Sequence, residues 1–232
     1  GTGPVEDWIG FITTKKEQLK TRLKIERADK FVDRGGPPNI LLINRGGAFE
    51  WAKISDELKQ YRGSYQSSWV DYDSDGDPDL YICNDFAPDV FLRNDTVKGS
   101  FKPEFVDVTS DIIPTMDMGF GMGCSWGDFN NDGDLDLYVS NMYSKAGNRI
   151  VDQVAGSDPR LKVSAHGNFL FDNEGGKFRQ IAGPDKGQQH VARVGWSFGG
   201  QFADFDNDGE LDLYVPSGCY SAPSEVKTKI DL

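Results

Sequence analysis

The 232-residue sequence predicts an all-β chain built from repeated small antiparallel sheets, and three observations carry that expectation. An acidic stretch of constant spacing occurs three times: WVDYDSDGDPDLYI at 69–82, WGDFNNDGDLDLYV at 126–139 and FADFDNDGELDLYV at 202–215. A second stretch is interleaved with it: NILLINRGGAF at 39–49, DVFLRNDTVKGSF at 89–101 and NFLFDNEGGKF at 168–178. The composition agrees, with 27 Gly and 12% aromatic residues, which suits short strands joined by many turns.

In chain order, residues 1–35 form a helical appendage, with the helical pattern over 5–34. Its segment 15–34 carries eight basic and four acidic residues, which suits a solvated helix on the rim of the fold or a contact with a partner. Residues 36–217 hold the repeats. Each interleaved stretch has an apolar run, an Asn, a Gly-containing turn and a Phe, the pattern of a strand, a tight turn and a second strand. Each acidic stretch runs on into Leu-Tyr and a β-branched residue, so it leads into a strand and not a helix. Gly-rich aromatic segments, 119–126 and 195–202, lead into the second and third acidic stretches. Strand, acidic loop, strand and hairpin together make four short strands per unit, the arrangement of a propeller blade. The chain then contains an opening hairpin, two full blades and a half-blade ending near Val215. Residues 142–167 read as an insertion and 218–232 as a C-terminal tail. So few blades cannot close a ring, and the open edges are expected to be completed by further sequence or by another chain.

The acidic loops carry the chemistry. Counted from the first Asp, the odd positions are Asp71, Asp73, Asp75, Asp77 and Asp79 in the first loop. In the second they are Asp128, Asn130, Asp132, Asp134 and Asp136, and in the third Asp204, Asp206, Asp208, Glu210 and Asp212. The sixth position is Gly76, Gly133 or Gly209. Fourteen of the chain's 37 acidic residues are crowded into these loops, where their repulsion opposes folding unless a cation offsets it. Ca2+ takes six to eight hard oxygen ligands, and the Gly permits the turn that aims alternate side chains at one centre. The loops are not EF-hands, since the twelfth position is Ile82, Val139 or Val215 where an EF-hand places Glu. Mg2+ suits them less, because it prefers to keep several of its waters.

With that pattern the chain resembles the FG-GAP/VCBS repeat, which forms the blades of the α-integrin head propeller with Ca2+ in the loop between the first two strands of a blade. The wording of 119–150 and of 168–173 is closer to the ASPIC/UnbV, or cartilage-acidic-protein-like, group of secreted proteins. The resemblance covers about residues 36–217 and implies three structural Ca2+ sites on the fifteen odd positions. The ASPIC/UnbV C-terminal segment is missing, which suggests a fragment of a longer protein.

Composition and motifs narrow the function. A net charge of −12 argues against nucleic acid as a partner. No run of eighteen apolar residues is present, so no membrane span is expected. The cysteines Cys83, Cys124 and Cys219 form no CxxC, and zinc is not indicated. His166 and His190 lie in no recognisable catalytic motif, and no catalytic residue is assigned. Trp69 and Trp126 recur in register with the loops, which favours blade packing over a carbohydrate platform. Asn94-Asp95-Thr96 is a glycosylation sequon. The expected function is extracellular, cell-surface or periplasmic binding of a protein or glycan, as in cell adhesion, on a surface held rigid by calcium. The alternatives are a lyase or hydrolase working in the central funnel of the propeller and a structural subunit of a larger assembly.

Overall fold

In the computed structural model, the described residues are 35–100, 102–116, 118–143, 160, 163–183 and 186–218. Residues 1–34 of the appendage at 1–35, most of the insertion at 142–167, nearly all of the tail at 218–232 and Cys219 therefore lie outside them. The described chain is mostly antiparallel strands, as the sequence predicts, with three helices of a single turn at Asp56–Lys59, Thr109–Ile112 and Gln189–Ala192.

A hairpin of β1 (Leu42–Arg45) and β2 (Ala48–Trp51) comes first. The first blade contains β3 (Gly63–Val70), β4 (Asp79–Asp85), β5 (Val90–Asn94) and β6 (Phe105–Asp107), adjacent in that order. The second contains β7 (Gly123–Gly127), β8 (Asp136–Ser140), β9 (Phe169–Asn173), β10 (Phe178–Gly183) and a two-residue edge strand β11 (Lys186–Gly187). A half-blade of β12 (Gln201–Ala203) and β13 (Asp212–Tyr214) follows.

Register repeats as faithfully as sequence. Trp69 faces Leu80, Trp126 faces Leu137 and Phe202 faces Leu213. The pair closing each acidic loop is Val70–Asp79, Gly127–Asp136 or Ala203–Asp212. One loop length thus fixes one register, and with it the face that each side chain takes.

The blades pack face to face. The core between the first two is built from Tyr81, Cys83, Phe91, Cys124, Leu137, Val139, Phe169, Phe171 and Phe178, all buried. Every residue of β8 and β9 is buried, since these strands are covered on both faces. Among the described residues, the opening hairpin and the half-blade have a neighbouring sheet on one side alone. Phe49 and Trp51 in the first hairpin are 69% and 74% exposed, and Tyr214 in the half-blade is 76% exposed.

The aromatic residue two places before the second and the third loop docks backward onto the preceding unit. The Trp126 indole Nε1–H donates to Ser68 Oγ at 3.1 Å. Its ring lies 5.9–6.1 Å from those of Tyr81, Phe91 and Phe178. Phe202 likewise packs on the second blade, with its ring 6.4 Å from that of Tyr138. Trp69 departs from the expectation of blade packing. It is 49% exposed and its ring lies 6.1 Å from that of Phe105, because among the described residues only the short opening hairpin precedes its blade.

This asymmetry is testable by urea unfolding. Trp126→Ala empties an inter-blade aromatic cluster and should cost about 3 kcal/mol or more. Trp69→Ala, in the same sequence context, should cost about half as much or less, since half of its surface already faces solvent. Equal losses would show that the two indoles do not differ in this way.

Candidate metal centres

Each acidic loop is coiled by two left-handed residues. The fourth position has φ near +60° in all three: 59° at Ser74, 59° at Asn131 and 63° at Asn207. The sixth has φ 94° at Gly76, 98° at Gly133 and 92° at Gly209. A Cβ at any of these glycines would meet nothing within 4 Å, so it is the dihedral and not space that selects Gly.

Carboxylates hold the coil from inside. The sixth-position N–H donates to the first-position carboxylate at 3.1 Å (Asp71), 2.9 Å (Asp128) and 3.0 Å (Asp204). The seventh-position N–H donates to the fifth-position carboxylate at 3.0 Å (Asp75), 3.0 Å (Asp132) and 2.9 Å (Asp208). The fifth-position contact closes an Asx turn, which explains a short acceptor there in preference to Glu, and the first-position carboxylate spans the coil to the N–H five residues on.

The ninth position ties the loop to the hairpin. Asp79 Oδ1 accepts the N–H of Asn94 at 2.8 Å, and Asp136 Oδ1 accepts that of Asn173 at 2.8 Å. The Asn side chains reciprocate, Asn94 donating to the Pro78 carbonyl at 3.0 Å and Asn173 to the Leu135 carbonyl at 3.1 Å. Their Oδ1 atoms then accept N–H groups of the hairpin turn, from Thr96 at 3.1 Å and Gly176 at 2.9 Å. Sequence reading saw Asn94 and Asn173 as part of a repeat but gave them no role; their fixed place after four mostly apolar residues was the signal. This clamp also occupies the amide nitrogen to which the sequon at Asn94 would attach a glycan.

Burial sets the electrostatics of the ninth position. Loss of hydration pushes Asp79 up to about 6, opposed by the Asn94 N–H and reinforced by the charges of Asp73 and Asp75. Asp136 is likewise pushed up to about 6 by burial, opposed by the N–H groups of Asn173 and Phe129 and reinforced by Asp172 and Asp132. A divalent cation reverses this balance, because it favours the ionised form of every carboxylate around it. Asp212 stands apart: it is exposed, and no third strand pairs with β13 among the described residues.

Two loops gather ligand atoms. Single oxygens of Asp71, Asp73 and Asp79 all lie within 4.8 Å of one another, and so do those of Asp204, Asp206 and Asp208. In the first loop, Asp79 Oδ2 and Asp77 Oδ1 are buried without a hydrogen-bond partner. Buried carboxylate oxygens left unpaired are costly, and a hard cation is what such a donor set suits. The third loop adds Glu210 and Asp212, both exposed.

The middle loop is arranged differently. Asn130 Nδ2 donates to Asp132 at 2.8 Å and to Asp172 at 3.1 Å, bridging two carboxylates. Asp172 comes from β9 and is also paired with Arg179. The Asp134 carboxylate turns to the next hairpin, where it accepts the Gly175 N–H at 2.8 Å. Asp172 was missed from sequence because it lies outside the loop motif.

The clamp predicts an asymmetry in thermal and urea unfolding. Asp136→Ala leaves two N–H groups, of Phe129 and Asn173, without their acceptor, and should cost about 2–4 kcal/mol. Asp212→Ala, at the same loop position but exposed, should change stability by about 0.5 kcal/mol or less. Comparable losses at both would contradict a structural role for the hairpin contact.

Comparison with known proteins bears on this geometry. No curated protein matches the chain. Residues 71–139 match the family model of the FG-GAP-like repeat, a span from the first position of the first loop to the fourth residue of β8.

Proposed function

We propose that the chain is a calcium-loaded propeller module whose ions are structural and whose blade surfaces bind a protein or glycan outside the cytoplasm. One observation carries the calcium reading. The buried, unpartnered Oδ2 of Asp79 lies in a loop where Asp71, Asp73 and Asp79 already converge. The full proposed ligand set is the odd positions of the three loops, with the seventh position contributing its backbone carbonyl. The FG-GAP-like match supports a propeller module, and repeats of this kind are typical of extracellular proteins. Within that class, the wording of 119–150 and 168–173 favours the ASPIC/UnbV group. No helix among the described residues is long and apolar enough to cross a membrane. The open flanks at the opening hairpin and at β12–β13 would be covered by further blades or by another chain.

Binding to the folded loops alone stabilises by about 2.7 kcal/mol per site at a hundredfold excess of free ion over Kd. Extracellular Ca2+ modules bind at about 10⁻⁴–10⁻³ M, so millimolar calcium is the relevant range. EDTA should lower the melting temperature by several degrees, millimolar Ca2+ should restore it, and Mg2+ at the same concentration should restore much less. Asp73→Asn should weaken one site and leave the others filled, as counted by calorimetry. If EDTA leaves the melting curve unmoved on protein first shown by metal analysis to contain calcium, the structural role is lost.

An enzymatic reading has one observation in its favour. The backbone of Tyr143 pairs with that of His166 in an antiparallel bridge, and the Arg193 guanidinium lies 5.9 Å from the centre of the Tyr143 ring, beyond the end of β8 that is remote from its acidic loop. A glycan array combined with an assay for newly released reducing ends separates the two. Binding without release supports the module, and release abolished by His166→Ala supports a lyase or hydrolase.

A further inference from the structure

The repeat brings two positions together where one blade meets the next. One is the fourth residue after the ninth loop position, Cys83 in the first blade and Ser140 in the second. The other is the second residue before the anchoring aromatic of the next unit, Cys124 before Trp126 and Gly200 before Phe202. At the second junction the two touch directly: the Gly200 N–H donates to Ser140 Oγ at 2.9 Å, and both residues are buried. At the first junction the same two places are both cysteine. Cysteine occurs three times in 232 residues, and two of the three fall on this one pair of facing positions.

The first junction also relieves its side chain of backbone duty. Gln66 lies opposite Cys83 in the register of β3 and β4. Its side chain crosses to the second blade, where Oε1 accepts the Cys124 N–H at 2.8 Å and Nε2 donates to the Cys124 carbonyl at 3.5 Å. The N–H that Ser140 serves at the second junction is thus served by Gln66 at the first. Cys83 and Cys124 are free thiols in the structure, 0% and 3% exposed, within the core that the two blades share. The Cys83 thiol has the Cys124 thiol as its hydrogen-bond partner. We propose that Cys83 and Cys124 form a disulfide that staples the first blade to the second when the chain folds in the presence of a small disulfide oxidant.

The exchange balances. The thiolate of one cysteine attacks the oxidant, giving a mixed disulfide and releasing one thiol. The second cysteine then displaces the other half. One S–S bond forms in the protein and one breaks in the oxidant, and the two thiol protons end on the two released thiols. Burial and then the adjacent Cys124 thiol hold Cys83 well above the ordinary thiol value, so attack belongs to the stage before the junction closes. Compartments outside the cytoplasm, where the function proposed above places the chain, supply such oxidants. A bond closing a loop of about forty residues restricts the unfolded chain and so favours the folded one.

The test uses Cys219→Ser, which removes the third thiol from outside the described residues. The protein is refolded in saturating Ca2+ with reduced and oxidised glutathione, then unfolded and alkylated. The expected product is a monomer with no alkylated cysteine and one cross-linked peptide pair, joining Cys83 to Cys124. Reduction should lower its melting temperature by about 5 °C or more at the same Ca2+. Cys83→Ala added to the same protein should melt alike with and without reductant. Two free thiols after refolding overturn the proposal, as does a bond between chains, a retained glutathione adduct, or a melting temperature that reduction does not lower. The thiol count and the peptide map stand even if the Cys83→Ala protein fails to fold. Calcium is saturating in every arm and the oxidant is supplied, so the outcome does not depend on the ions or the compartment proposed above.

Discussion

The ninth-position carboxylate is the constraint on which the two complete blades depend. Asp79 and Asp136 each sit where an acidic loop becomes a strand, and each accepts the backbone N–H of the Asn that ends the next strand. That one contact fixes where the loop ends, where the hairpin turns and how β4 or β8 lies against its neighbour. It also buries a carboxylate in a loop of carboxylates, which is unfavourable without compensation. The contact that fixes the architecture and the charge crowding that a cation would offset therefore come from the same atoms. The half-blade shows the contrast: Asp212 has the same sequence context, but no hairpin follows it among the described residues and it is exposed.

Around this clamp the blades are layers that depend on their neighbours. β8 and β9 are wholly buried because a sheet lies on each side of them. The opening hairpin and the half-blade carry equivalent residues with their aromatic rings in solvent. Side chains of one type take opposite roles according to what stands next to them, as Trp69 and Trp126 do. Burial here is a property of the stack and not of the single unit.

Much of this was legible in the sequence. Strands, loops and hairpins were placed by the acidic motif and the Asn-turn-Phe motif, because both are local and repeat in register. The glycines of the loops were legible for the same reason, since only Gly adopts their φ freely. What was not legible depended on distant partners. The role of Asn173 needs Asp136, 37 residues earlier, and the difference of the middle loop needs Asp172, 42 residues beyond Asn130. The one-turn helices were also missed, because four residues carry no readable periodicity. The exposure of Trp69 followed from its position in the stack, which its own sequence context does not encode.

The backward docking of Trp126 and Phe202 gives the chain a direction. Each new unit presents its anchoring ring to a sheet that precedes it in the sequence, so the surface it needs has already been synthesised when it emerges. N-terminal parts of a chain generally fold first during translation. A blade that docks forward would wait, with its apolar face uncovered, for residues not yet made. A blade that docks backward finds its template in place. The same feature makes the order of assembly vectorial, with each sheet serving as the mould for the next and only the most recent face open to misassociation.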